Sequence, residues 1–128
     1  MITGARWMAG LAAATALMAV TAASAMDVGQ VKSKATPETG STQWAEVCAA
    51  TFMGQAYLAE KDSDAQKGAL TLAKAWISLA TNLNGKTYDD YVDNQLTGDM
   101  QALYDAGDDT VAFYKHYCAV ESQKMLDS

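Results

Sequence analysis

The residues in this 128-residue chain best suited to covalent or metal chemistry are two cysteines and one histidine: Cys48 in WAEVCAATF, and His116 and Cys118 in FYKHYCAV. A nucleophilic thiol needs a base within hydrogen-bond reach. His116 is the only imidazole, and side chains two residues apart on a helix point in different directions, so it does not serve Cys118. A zinc site wants three or four ligands, which this set does not supply. No CxxC motif is present for thiol exchange, and no CxxCH for haem attachment. Catalysis, a metal and a cofactor are therefore not expected. The remaining role for Cys48 and Cys118 is a disulfide, which requires an oxidising compartment and elements that bring the two together.

The N-terminus addresses the compartment. Residues 1–25, MITGARWMAGLAAATALMAVTAASA, carry one charge, Arg6, then a run of Ala, Leu, Met and Val ending in small residues at Ala23 and Ala25. This is the layout of a secretory signal peptide cleaved after Ala25. Its apolar stretch is alanine-rich and shorter than the roughly 20 strongly apolar residues of a spanning helix. A periplasmic location follows as the expectation. Removing the leader leaves eight basic against fifteen acidic residues, a net charge near −7. Such a surface disfavours nucleic acid and anionic lipid, and suits a cationic partner.

Residues 26–41, MDVGQVKSKATPETGS, hold the only proline and no apolar period, and are expected to form a flexible arm. Residues 42–128 form the predicted folded domain, with four helical segments and no alternating strand pattern. In the first, to about Lys61, Trp44, Val47, Cys48, Thr51, Phe52, Gln55, Leu58 and Ala59 recur at helical steps, with Ser41 or Thr42 as cap. The second starts from the Ser63/Gln66 capping pattern and buries a stripe from Ala65 through Trp76 to Leu83, until Asn84-Gly85 stops it. The third runs from Thr87 to about Ala106, with a kink or break expected near Gly98. The fourth follows Asp108 or Asp109 to about Met125. An all-α, four-helix up-down bundle is the natural reading.

In that topology the first and last helices are antiparallel neighbours. Cys48 near the start of one and Cys118 in the second half of the other then fall at similar height, so the bundle is expected to be stapled by a Cys48–Cys118 disulfide.

Seven aspartates fall between positions 89 and 109: Asp89, Asp90, Asp93, Asp99, Asp105, Asp108 and Asp109. They lack the alternating oxygen ligands and closing glutamate of an EF-hand loop, and read as helix caps and a negative surface on the third helix. Six tyrosines outnumber the other aromatics. Tyrosine suits interfaces because an apolar ring carries a polar tip. Tyr88 and Tyr91 beside Asp89, Asp90 and Asp93 form the first expected partner-binding patch. Tyr114 and Tyr117 form the second.

An exported leader, a polar arm and a small helical domain with two distant cysteines, with Trp44 before Cys48 and Phe52 after it, resemble acid-stress periplasmic chaperones of the HdeA type. That resemblance implies partial unfolding or dissociation near pH 2–3 with retained solubility. The leading expectation is a non-catalytic protein that binds another protein in the periplasm or envelope, as an accessory subunit or an immunity-type inhibitor. The partner is expected to be basic or a subunit of a membrane complex, and a homodimer is also compatible. The chaperone is the alternative.

Overall fold

The computed structural model describes residues 28–127, all of whose regular elements are helical. The expected signal peptide, residues 1–25, lies outside the described residues. In chain order the elements are α1 (Val28–Lys32), α2 (Thr42–Leu58), α3 (Asp64–Asn84), α4 (Tyr88–Tyr91), a π-helical turn (Val92–Leu96), α5 (Thr97–Asp105) and α6 (Asp108–Asp127). Among these residues no helix is long and apolar enough to cross a membrane.

The helix starts follow from short polar side chains. Ser41 accepts from the Trp44 amide at 3.1 Å, Ser63 from Gln66 at 3.1 Å, and Thr87 from Asp90 at 3.1 Å. Each satisfies one of the amides that a helix N-terminus leaves without an intrahelical partner. Gln66 also reaches back, accepting from the Asp62 amide and donating to the Ala56 carbonyl, so it ties the α2–α3 turn to both helices. α3 ends at Gly85, whose φ of 79° is the left-handed geometry that glycine adopts without a Cβ penalty.

α2 departs from the expected one-sided helix. Every residue from Trp44 to Phe52 is buried, so α2 runs through the interior with neighbours around it, as a helix apolar on all faces must. Alanines at 45, 49, 50 and 56 keep its girth small. Its most extensive contact is with α3, and α5 and α6 pack on its other sides. Trp44 and Trp76 meet edge to face at 4.8 Å, an arrangement favoured by the ring quadrupoles. Both indole N–H groups are paired with α6: Trp44 donates to Glu121 and Trp76 to Ser122, each at 2.9 Å.

Cys48 and Cys118 are disulfide-bonded, with Cα atoms 5.4 Å apart, and both are fully buried. The bond joins the middle part of α2 to the middle of α6.

The third segment is not a single α-helix. Its irregularity is the π turn at 92–96, just before Gly98 rather than at it. Tyr91, Gln95, Asp99 and Leu103 are all buried, at steps of four residues. In an α-helix such steps drift about 40° each. An i→i+5 turn rotates less per residue, so the π segment holds these positions on the inward side.

Residues 28–41 also differ from the expected flexible arm. Val31 is buried in the core, and α1 contacts α5. Beyond α1 the backbone crosses α6, held by side chains of that helix.

Candidate functional site

The tyrosines and aspartates singled out by the sequence do not form one surface. Tyr88, Asp89, Asp90 and Asp93 are exposed, and Asp90 accepts a hydrogen bond from Asn94 at 2.7 Å. Tyr91 is fully buried. Residues three apart on a helix differ by about 60° in direction, enough for Tyr88 and Tyr91 to straddle the boundary between solvent and core. Tyr114 is likewise buried and Tyr117 half-buried. The hydroxyls of both donate to backbone carbonyls of the N-terminal segment, Tyr114 to Ala35 and Tyr117 to Pro37. Tyr91 is therefore a core residue rather than a contact residue, and Tyr114 is covered in part by the chain's own N-terminal segment, which corrects both expected tyrosine pairs.

Asp99, read as a surface acid, is buried too. It belongs to a polar cluster inside the fold with Glu46, Gln95 and Tyr91. The Gln95 amide nitrogen donates to Glu46 Oε2 at 2.8 Å and to Asp99 Oδ2 at 3.1 Å. Gln95 Oε1 accepts from the Lys86 ammonium, and Asn84 donates to the same Glu46 oxygen at 3.1 Å. Glu46 Oε1 and the Tyr91 hydroxyl are buried without a hydrogen-bond partner. Burial raises the Tyr91 phenol, and the nearby Asp99 and Glu46 carboxylates push it the same way. The cluster binds the end of α3 to α2 and to the π turn. Glu46 is an interior anchor because α2 is enclosed. Among the described residues no group of three or more His, Cys, Asp and Glu could hold a metal ion.

Glu121 is the second buried carboxylate centre. Its Oε1 accepts from Trp44 and from Thr39 at 2.9 Å each, and Oε2 pairs with Lys124 at 2.9 Å. The Lys124 hydrogen bond holds this carboxyl below the usual carboxylate range; burial opposes that shift, and the bonds from Thr39 and Trp44 reinforce it.

A large exposed apolar surface lies at the end of α2. Tyr57 is 72% exposed and Leu58 77%. Leu58, expected on the buried stripe, faces open space because α2 ends there. One groove, about 280 Å³, is lined by Gln55, Leu58, Ala65, Tyr104, Val111 and Lys115 among others. A second, about 300 Å³, is lined by Gly54, Tyr57, Leu58, Met100, Tyr104 and Asp105 among others. Tyr104 forms the wall between them, its hydroxyl donating to the Thr51 carbonyl at 2.9 Å. Gly54 makes room for that ring, since a Cβ there would stand 2.2 Å from it. Burial pushes the Tyr104 phenol up to about 12, so it stays a neutral hydrogen-bond donor at physiological pH.

Sequence periodicity could not single out this surface, because Tyr57, Leu58, Met100 and Tyr104 read like ordinary core residues near helix ends. The one usable signal is the short reach of α2 beyond Gly54, where glycine admits the tyrosine of a distant helix. Compared with known proteins, the chain matches no family model, no curated sequence and no solved structure.

Proposed function

We propose that the chain is an exported, non-catalytic protein that binds another protein in the periplasm or envelope, and that it docks through the C-terminal turn of α2. The carrying observation is the adjacent pair Tyr57 and Leu58, about three-quarters exposed beside two grooves, of which the one lined by Gly54, Met100 and Tyr104 is largely apolar. Isolated apolar residues are ordinary on a protein surface, whereas a contiguous group over preformed grooves is a feature of interaction sites. The partner segment is expected to be apolar with basic flanks, because Asp105 rims one groove and the whole chain is acidic, at a net charge of −6. In this reading residues 1–25 are the leader that delivers the chain. The disulfide suits the oxidising compartment. The architecture we infer is an up-down bundle of four rods, α2, α3, α4–π–α5 and α6; the Cys48–Cys118 link between the middle parts of α2 and α6 is consistent with it.

The test is capture of partners from the native periplasm by the mature protein and by Tyr57→Ser/Leu58→Ser. The double variant is expected to keep the far-UV spectrum and lose at least about tenfold in affinity for the recovered partner, consistent with two central apolar contacts. Equal binding by the variant would remove this surface from consideration.

The acid-stress chaperone is retained as a second reading because Glu121 links stability to pH. A carboxyl whose folded value is depressed contributes fully above its ordinary value of 4.5, and that contribution is lost as pH falls through the lower folded value. Glu121→Gln is expected to be less stable than the native chain by about 1–2 kcal/mol at pH 7, and the gap should close toward pH 2. Urea unfolding at pH 7, 5, 3 and 2 reads this out. Parallel profiles would show that Glu121 carries none of the acid response. An unchanged fold at pH 2–3 without suppression of client aggregation would dismiss the chaperone.

A further inference from the structure

α6 presents three side chains in a row to the chain's own N-terminal segment. Tyr114, Tyr117 and Glu121 stand at i, i+3 and i+7, and they bond residues 35, 37 and 39. Tyr117 donates to the Pro37 carbonyl at 3.0 Å, Tyr114 donates to the Ala35 carbonyl, and Glu121 accepts from the Thr39 hydroxyl at 2.9 Å. The two spacings are of similar size, about 10 Å in all on the helix and about 12–13 Å on an extended segment. Steps of three and four residues along a helix advance about 4.5 and 6 Å. Steps of two residues along an extended chain advance about 6–6.5 Å. Thr36, which precedes proline, is confined to extended backbone, so the segment is preset for this register.

The segment contributes two side chains to this contact, the Pro37 ring and the Thr39 hydroxyl. Ala35, Thr36, Glu38 and Thr39 are exposed, and only Pro37 is half-buried. Two of the three contacts go to main-chain carbonyls. Proline sits at an open cleft of about 420 Å³ whose α6 wall includes Phe113, Tyr117 and Val120. Phe113, Tyr114 and Tyr117 form successive edge-to-face contacts at 4.9 and 6.1 Å, which stiffens that wall. An aromatic wall with hydroxyl donors aimed at the carbonyls of an extended, proline-containing segment is a general solution for binding such peptides. The resident segment is bracketed by positive φ angles, 60° at Lys34 and 91° at Gly40. It lies between α1, anchored by Val31, and the Ser41 cap of α2, so it can bulge away while both of its ends stay in place.

We propose that Tyr114, Tyr117 and Glu121 form a peptide-binding rail on α6, occupied in cis by residues 35–39 and open in trans to an extended partner segment that carries proline and, two residues later, a hydroxyl side chain. The resident segment holds the rail at the high effective concentration of a tethered ligand, so a partner binds by displacing it. This rail is separate from the Tyr57–Leu58 surface and does not depend on it.

The test uses the full chain and a fluorescein-labelled peptide with the sequence of residues 33–41, SKATPETGS. In Pro37→Gly/Thr39→Ala the resident segment is weakened while the rail is untouched, and this variant is expected to bind the peptide at least tenfold more tightly than the native chain by fluorescence anisotropy. Adding Tyr117→Phe, which keeps the ring and removes the donor, should abolish the gain, and adding Tyr57→Ser/Leu58→Ser should leave it intact. A control peptide with glycine for the proline and alanine for the second threonine, SKATGEAGS, should bind the weakened variant at least tenfold more weakly. No difference between native and weakened chains, or equal binding of the control peptide, would overturn the proposal. A concentration-dependent dimer of the native chain, dissolved by the peptide, would put a second copy's segment on the rail and overturn the assignment to a partner. Circular dichroism of each variant separates loss of binding from loss of fold.

Discussion

Reducing the Cys48–Cys118 bond is expected to lower the free energy of unfolding by about 4 kcal/mol. The bond closes a loop of 70 residues, and in the chain-entropy account a loop of this length restricts the unfolded ensemble by about that amount. A single domain of this size commonly has only about 5–15 kcal/mol in total, so the reduced chain should sit near the edge of stability at 37 °C. The folded state has reason to survive reduction at lower temperature. Trp44 and Trp76 still pack between α2, α3 and α6, and both indoles keep their partners on α6. Urea unfolding with and without a phosphine reductant measures the difference while leaving both side chains in place. Cys48→Ala/Cys118→Ala should lose slightly more, because two buried sulfurs are also removed from the core. A difference under about 1 kcal/mol between oxidised and reduced protein would show that the helices stand without the cross-link.

That staple was legible in the sequence because it needs only an even cysteine count, a leader-like N-terminal pattern and helices in plausible order. Helix existence and several ends were legible for a similarly local reason. Ser41, Ser63 and Thr87 cap where short polar side chains meet a helical apolar pattern, and Gly85 stops α3 with the backbone geometry that glycine permits. What could not be read was which side of a boundary each residue takes. α2 looks one-sided because its larger apolar residues recur at helical steps while its alanines score as weakly apolar. Surrounded by α3, α5 and α6, the same helix has no solvent side from Trp44 to Phe52. Tyr91 and Tyr114 follow the same logic, since a tyrosine at the edge of a stripe is indistinguishable in sequence from one inside it. Residues 28–41 have the composition of an arm, yet one valine, one proline and three α6 side chains suffice to hold them down. Those partners lie about 80 positions away in the chain, beyond the reach of any local pattern.

Gln95→Leu is expected to destabilise the protein by about 3 kcal/mol, more than its volume change warrants, because Gln95 keeps two buried carboxyl groups supplied with a shared donor. Its amide nitrogen bonds Glu46 and Asp99, and its oxygen receives the Lys86 ammonium. A leucine of similar size fills the space and supplies none of these contacts. Glu46 would keep Asn84 as a donor, while the two acids would face each other across an apolar side chain and Lys86 would lose its acceptor. Like charges brought together at low dielectric repel far more strongly than the same pair at a surface. Two outcomes separate this account from a simple packing defect. Glu46→Gln introduced into the Gln95→Leu background should recover part of the loss, and the same change in the native background should cost stability. The coupling from that double-mutant cycle is expected to exceed about 1 kcal/mol, as for groups sharing one hydrogen-bond network. Additive effects would mean that Gln95 acts through its own contacts and not by separating the acids. The π turn makes the cycle informative about backbone as well: it holds Gln95 on the line from Tyr91 to Asp99. If the cluster is what stabilises that turn, amides from 92 to 96 should exchange hydrogen faster in Gln95→Leu than in the native chain, while amides in the middle of α3 should change only by the global loss of stability.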